Sequence, residues 1–383
     1  MTVNVLLGFT SPTQIEDVVI EGVRIDRGRQ DITAAVSSNR ASFQILYDSS
    51  AGTFDPTTLT LGEFVLIQYF TPAGYNLYGG RITDISFDKD LAQVTAVSDG
   101  LSRLGRGTLS TYVFTGSVYA TLVDLYNDQL VDLYPNLNPP GLVCSANATE
   151  QVEIELLSPG SSPISVLTEL ASSAPNSFLF EGLSGQITLY DQSYFRPSTW
   201  PAAPVVLTGD EIVDDWSMTK TIGEKVNSSE VVWTGGTAVD NDTLDQDNFG
   251  TYSSSISTYL VNEADADLIA ERTLANFADP GWQISAITIP VHTLSTSRQN
   301  TITGSIQVGT IVDIPELYPG LPTRYVVQGI SDVLGQTRFE RTLYLADWTL
   351  LRPAETWDDV TSTLAWQDVN ASIIWTDLVR EWI

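Results

Sequence analysis

The sequence predicts a mainly β protein with an α+β insertion, and three observations carry that prediction. The stretch ASFQILY (41–47) alternates apolar and polar residues without a slip, which is the period of a half-buried strand. Between about 108 and 200 the period changes to that of short amphipathic helices. After about 203, runs rich in β-branched and aromatic residues return. The organisation expected is a first β domain at 1–107, an α/β insertion at 108–200, a second β domain at 201–352 with one helix (262–279), and an extended C-terminal segment at 353–383.

In the first β domain, Ala41, Phe43, Ile45 and Tyr47 share one strand face and Ser42 and Gln44 the other. FVLIQYF (64–70) is a run of strand formers interrupted only by Gln68. RITDISFD (81–88) and AQVTAV (92–97) are joined by DKDL, a tight hairpin connection, and DSSAGTFDP (48–56) with Gly79-Gly80 supplies turn chemistry. Strands at this spacing suggest a small sandwich or barrel.

In the insertion, SVYATLVDLYNDQL (117–130) sets Val118, Leu122, Leu125 and Tyr126 at helical intervals behind Ser117 as N-cap. SSPISVLTELASS (161–173) predicts a second helix, with Ser162 as cap and Pro163 at the first helical position. SFLFEGLSGQITLYD (177–191) predicts a hairpin turning at Gly182–Gly185. In the second β domain, a helix opening at Asn262 and stopped by Asp279-Pro280-Gly281 separates EVVWTGG from strands at 282–291, 308–315, 324–335 and 339–347.

The charge balance narrows the function. Eighteen Lys and Arg stand against 47 Asp and Glu, a net charge of −29. Such a field repels phosphate backbones, so no stable nucleic-acid binding is expected. The single cysteine, Cys144, permits no intrachain disulfide and suits a small buried hydrophobe. The opening MTVNVLLGFTSPTQ lacks the basic and apolar regions of a signal peptide, and no apolar run is long enough to cross a bilayer. Synthesis in a cytoplasm, without a transmembrane segment, is the expectation.

Reactive groups are scarce. His292 is the only histidine, so Ser-His-Asp and Cys-His chemistry would both rest on it. No phosphate loop or dinucleotide fingerprint is present. Glycoside cleavage needs only two carboxylates, and DGLSRLG (99–105) and GDEIVDDW (209–216) contain some, but turn carboxylates are common in so acidic a chain. DNDTLDQDN (240–248) spaces acids at 240, 242, 245 and 247, yet Leu244 takes the fifth position and no Gly follows, so the order of an EF-hand fails and an acidic loop is expected. No enzymatic activity, cofactor or metal is expected. Arg27 and Arg29 flank Gly28 on a predicted strand, either on a solvated face with Gly28 marking a bulge or in an ion pair across a subunit contact.

The segment from Trp357 writes one nine-residue unit three times: WDDVTSTLA, WQDVNASII, WTDLVREWI. Trp357, Trp366 and Trp375 lead the units, Val360, Val369 and Leu378 take the fourth positions, and Trp382 falls within the third unit. A nine-residue step turns a helix through about 900° and alternates the faces of a strand, so the three leading Trp cannot line one regular element. Three short segments, each holding out one aromatic anchor, fit a peptide that docks on a neighbouring protein. The alternatives are a tail folded back onto its own domains and a receptor- or glycan-binding face.

Several stretches, taken in order, resemble the minor tail or baseplate hub proteins of tailed bacteriophages. They are VRIDRGRQDIT (23–33), SFQILYDSSAGTFDP (42–56), LYGGRITDISFD (77–88), VTAVSDGLSRLGRG (94–107), FLFEGLSGQITLYD (178–191), EADADLIAERTLANFADPGWQISAITI (263–289) and the β unit over 308–347. The resemblance implies two tail-tube-like β-barrel domains and a homotrimer forming a ring of pseudo-sixfold symmetry. It also implies a place at the tail tip beside the distal tail protein and the tape-measure protein, with DNA passing through during ejection. The competing expectations are an adhesin using the Trp units and a wall hydrolase using two carboxylates.

Overall fold

Alternating burial builds the amino-terminal strands: β1 (Thr2–Leu7), β2 (Thr13–Ile15), β3 (Val18–Gly28), β4 (Arg40–Leu46), β5 (Phe64–Phe70), β6 (Gly74–Asp88) and β7 (Leu91–Val97). In β4 the buried residues are Ala41, Phe43 and Ile45, as the alternation predicts, and in β5 they are Val65, Ile67 and Tyr69. The computed structural model describes residues 2–8, 13–15, 18–30, 35–46, 55–70, 74–88, 90–133, 141–144, 148–156, 159–183, 185–192, 194–195, 203–213, 216, 218–220, 224–279, 281–315, 322–335 and 337–351. The Trp units lie outside them.

A short helix α1 (Asp99–Leu104) leads into the insertion, which holds β8 (Tyr112–Ser117), α2 (Val118–Leu125), β9 (Leu142–Cys144), β10 (Gln151–Leu156), α3 (Pro163–Ser172), β11 (Phe178–Glu181) and β12 (Ile187–Tyr190). The Ser117 hydroxyl accepts from Ala120 N at 3.2 Å, so the predicted cap forms. The α2 helix widens into one π turn over Tyr126–Leu130. Strands β11 and β12 pair as the predicted hairpin.

The remainder contains β13 (Val205–Val206), β14 (Met218–Thr219), β15 (Ser228–Trp233), β16 (Gly236–Asn241), α4 (Thr243–Phe249), β17 (Ser253–Ser257), α5 (Glu263–Phe277), β18 (Gln283–Ile284), β19 (Ala286–Ile289), α6 (Thr296–Ser305), β20 (Ile311–Asp313), β21 (Arg324–Leu334) and β22 (Phe339–Asp347). Where an acidic loop is expected at 240–248, Asp242 accepts from Asp245 N at 3.0 Å and starts α4. Helix α6, TSRQNTITGS, has no apolar stripe for the sequence to reveal; Ser295 caps it, and Ile302 and Thr303 are its buried residues.

Twelve strands form one sheet in the order β13-β20-β21-β3-β4-β7-β6-β5-β1-β2, with β22 also on β21 and β19 on β22. The two β regions expected as separate barrels are therefore continuous through the β3–β21 pairing, and among the described residues no sheet closes on itself. One core follows this sheet and joins Phe43, Ile67 and Val94 to Ile330, Phe339 and Leu343. A second core gathers Leu122, Leu170 and Leu189 of the insertion with Val231, Leu260 and Ile269. Helix α5 and the β16-β15-β17 sheet thus pack with the insertion, although the sequence groups them with the second β domain. Burial decides this: α5 turns Ala266, Ile269 and Ala270 inward against β15 and β16, and each such apolar side chain gains by leaving water.

Candidate functional site at the seam between the sheet halves

The two halves of the large sheet meet along one antiparallel ladder, from Gly28 opposite Gly329 to Val23 opposite Leu334. The backbones approach closely at its end. Gly28 has φ +71°, and a Cβ there would overlap the carbonyl oxygen of Gln328; a Cβ on Gly329 would overlap the Arg29 carbonyl. The bulge expected at Gly28 appears on the facing strand, where the β21 register shifts between Val327 and Gly329. The Gln328 carbonyl left out of that register accepts from Arg29 N at 2.9 Å.

Beside the seam lies a buried charge cluster. Arg341 donates from Nε to Asp332 Oδ1 at 2.7 Å and from Nη2 to Asp332 Oδ2 at 2.9 Å, and both side chains are wholly inaccessible. Arg27 Nη2 reaches the same carboxylate at 3.1 Å, and its Nη1 donates to Gln307 Oε1 at 2.7 Å. Two guanidinium groups therefore share one carboxylate. The Arg341 Nη1 donates to the Ile302 carbonyl at 2.7 Å, so the negative end of α6 offsets part of the excess. Burial, with Arg341 nearby, brings Arg27 down to about 10 although Asp332 pulls the other way, and Arg27 Nε finds no acceptor. Arg27 is thus neither on a solvated strand face nor open to a subunit contact: it is 4% exposed and paired within its own chain. The sequence could not show this, because Asp332 is 305 residues away.

A second polar cluster ties the insertion to the sheet. Glu181, at the end of β11, accepts from Asn39 N at 2.8 Å, Leu101 N at 3.1 Å, and the Ser98 hydroxyl. The Asn39 amide returns two donations, to the carbonyls of Glu181 and Gly182. Burial pushes the Glu181 carboxyl up to about 7, against the hydrogen bonds that favour its charged form.

The other singled-out residues are held by ordinary structural contacts. Arg29 is half-buried, with its guanidinium 4.6 Å from the centre of the Phe178 ring. His292 Nδ1 lies 3.1 Å from the Phe339 carbonyl, in a short 3-10 turn. Asp99 pairs with Arg81 at 2.6 Å and Arg103 at 3.2 Å, and Glu211 pairs with Arg298 while closing a capping box with Thr208. Asp245 pairs with Lys225 at 2.9 Å. Cys144 is largely sheltered, and burial, with Asp191 adding to it, pushes its thiol up to about 12. Trp357, Trp366, Trp375, Trp382, Val360, Val369 and Leu378 lie outside the described residues. Among the described residues no helix is long and apolar enough to cross a membrane.

No family model matches the sequence, and no curated protein does. Solved structures do match. A 43 kDa tail protein of prophage MuSo2 from Shewanella oneidensis is 13% identical, with a TM-score of 0.61 over 91% of this chain and 99% of that one. A tail protein from Neisseria meningitidis MC58 is 14% identical, with a TM-score of 0.61 over 92% of this chain and 99% of that one. Prophage tail protein gp18 from Listeria monocytogenes EGD-e is 9% identical, with a TM-score of 0.53 over 90% and 95%. The open twelve-stranded sheet, its seam and the packed insertion thus make up, nearly end to end, a fold this chain shares with prophage tail proteins.

Proposed function

We propose that this chain is a structural protein of a phage tail tip, a hub in which three copies form a ring beneath the tail tube. One observation carries the reading: the likeness to two tail proteins spans 91% and 92% of this chain and 99% of each of theirs, so whole architectures correspond. In the ring, each copy supplies two tube-like β-barrel lobes, and three copies present six positions to a sixfold tube. The continuous ladder of β3 on β21 supports this, since it makes the two lobes of a copy one rigid piece.

The partners in this reading are the distal tail protein, the tape-measure protein and the adsorption apparatus. Trp357, Trp366, Trp375 and Trp382, with Val360, Val369 and Leu378, anchor the neighbouring tail-tip component, and Arg29 stays an interface residue. The chain is made in the host cytoplasm, works in the virion and catalyses no reaction. Its net charge of −29 lets DNA pass during ejection without adhering. Native mass measurement of the purified protein, alone and with tail proteins, tests the reading. A trimer is expected; a monomer in every mixture would defeat it. Glycan binding by the isolated 353–383 peptide would favour the adhesin instead.

A further inference from the structure

Three of the eighteen cations of this acidic chain, Arg29, Lys225 and Arg272, line one groove of about 520 Å³. It runs between the turn after α3, strand β17 and helix α5, and Glu224 is the one carboxylate in its lining. Its apolar wall includes Ile256, Ile269 and Phe277. Leu350 and Leu351, the last described residues, form part of the same wall, so residues 352–383 set out from the groove itself.

What leaves there is Trp357-Asp358-Asp359, an indole followed by two adjacent carboxylates. Trp357 is six residues beyond Leu351, a span of at most about 20 Å when extended. We propose that this first Trp unit seats in the groove of its own chain, its indole on the apolar wall and its carboxylates toward Arg272 and Lys225. The second and third units, from Trp366 on, remain for a partner. A neighbouring groove of about 570 Å³, lined by Ile164 and Ile256, carries Glu169 as its charged residue and would repel the same unit. So short a tether sets an effective concentration in the mM range, so even an intrinsically millimolar contact is populated. The seat needs no second copy and holds whatever the oligomeric state proves to be.

Placing the photoreactive benzoylphenylalanine at position 357 of the full chain tests this. The expected cross-links fall on 172–177 or 269–277 within one molecule, at monomer mass. Cross-links that join two copies, or that map elsewhere, overturn the proposal. Amide exchange gives a second reading: in D358K/D359K and in a chain stopped after Pro353, the 172–177 and 269–277 segments should exchange at least about threefold faster than in the full chain. Both substitutions and the truncation lie outside the folded cores, so unchanged exchange counts against the seat and not against folding. In R272E the position-357 cross-link should weaken, and adding D358K should restore it; no restoration would remove the ion pairing from the proposal.

Discussion

Asp332→Ala is the most informative perturbation of the seam. Asp332 is wholly buried and accepts both donors of Arg341 and one of Arg27. Deleting one member of a buried pair costs about 3–5 kcal/mol, because the surviving charge stays buried without compensation. Here one deletion strands two guanidinium groups, so the cost belongs at the upper end, about 5 kcal/mol. That is as large as the whole stability of many domains. The three single substitutions should not be equal. Arg27→Ala leaves Asp332 with its two-point partner and removes the excess cation, so it should cost about 1–2 kcal/mol. Arg341→Ala leaves Asp332 with one contact and frees the carbonyls at the end of α6, so it should cost about 3–5 kcal/mol. Urea unfolding followed by far-ultraviolet circular dichroism, compared as midpoint shifts at one pH, ranks them. Asp332→Ala within about 1 kcal/mol of the parent, or Arg27→Ala costing more than Arg341→Ala, would refute the reasoning.

Three further outcomes are expected. Glu181 has a folded value near 7 against an ordinary 4.5, so its neutral form favours folding. That contribution is complete below pH 4.5 and is lost as pH rises through 7; Glu181→Gln should therefore flatten the stability profile over this window by roughly 3 kcal/mol relative to the parent, as read from thermal midpoints. Gly28→Ala should lower stability by at least about 2 kcal/mol in the same unfolding assay, because φ +71° and the Gln328 carbonyl both oppose a Cβ, whereas Gly62→Ala, at a similar φ with open space around it, should cost less. With its thiol held near 12, Cys144 should react with a disulfide reagent at pH 8 at least about tenfold more slowly in the native chain than in urea, and equal rates would contradict its burial.

Much of the chain is legible without coordinates, for local reasons. The alternation in 41–46, the Ser117 cap and the Gly182–Gly185 hairpin each rest on residues within a few positions of one another, so periodicity and turn chemistry suffice. Helix α6 was not legible, because Thr, Ser, Asn and Gly give it no apolar stripe and tertiary contacts stabilise it instead: Arg341 on its carbonyls and Ile302 in the core. The acids at 240–248 were seen as a cluster, but whether each caps a helix or meets a lysine depends on residues brought from elsewhere.

The sequence by itself determined the β-rich class, the position of the insertion, the lack of histidine for catalysis and the nine-residue Trp period, since each follows from composition or short-range order. Tertiary structure alone decided that both β regions share a single sheet, that α5 belongs to the insertion's core, and that Arg27 is a buried ion partner. The physical reason is separation along the chain. Desolvation and close backbone approach act between residues some three hundred positions apart, and no local pattern encodes which distant carboxylate will meet a guanidinium once both leave water.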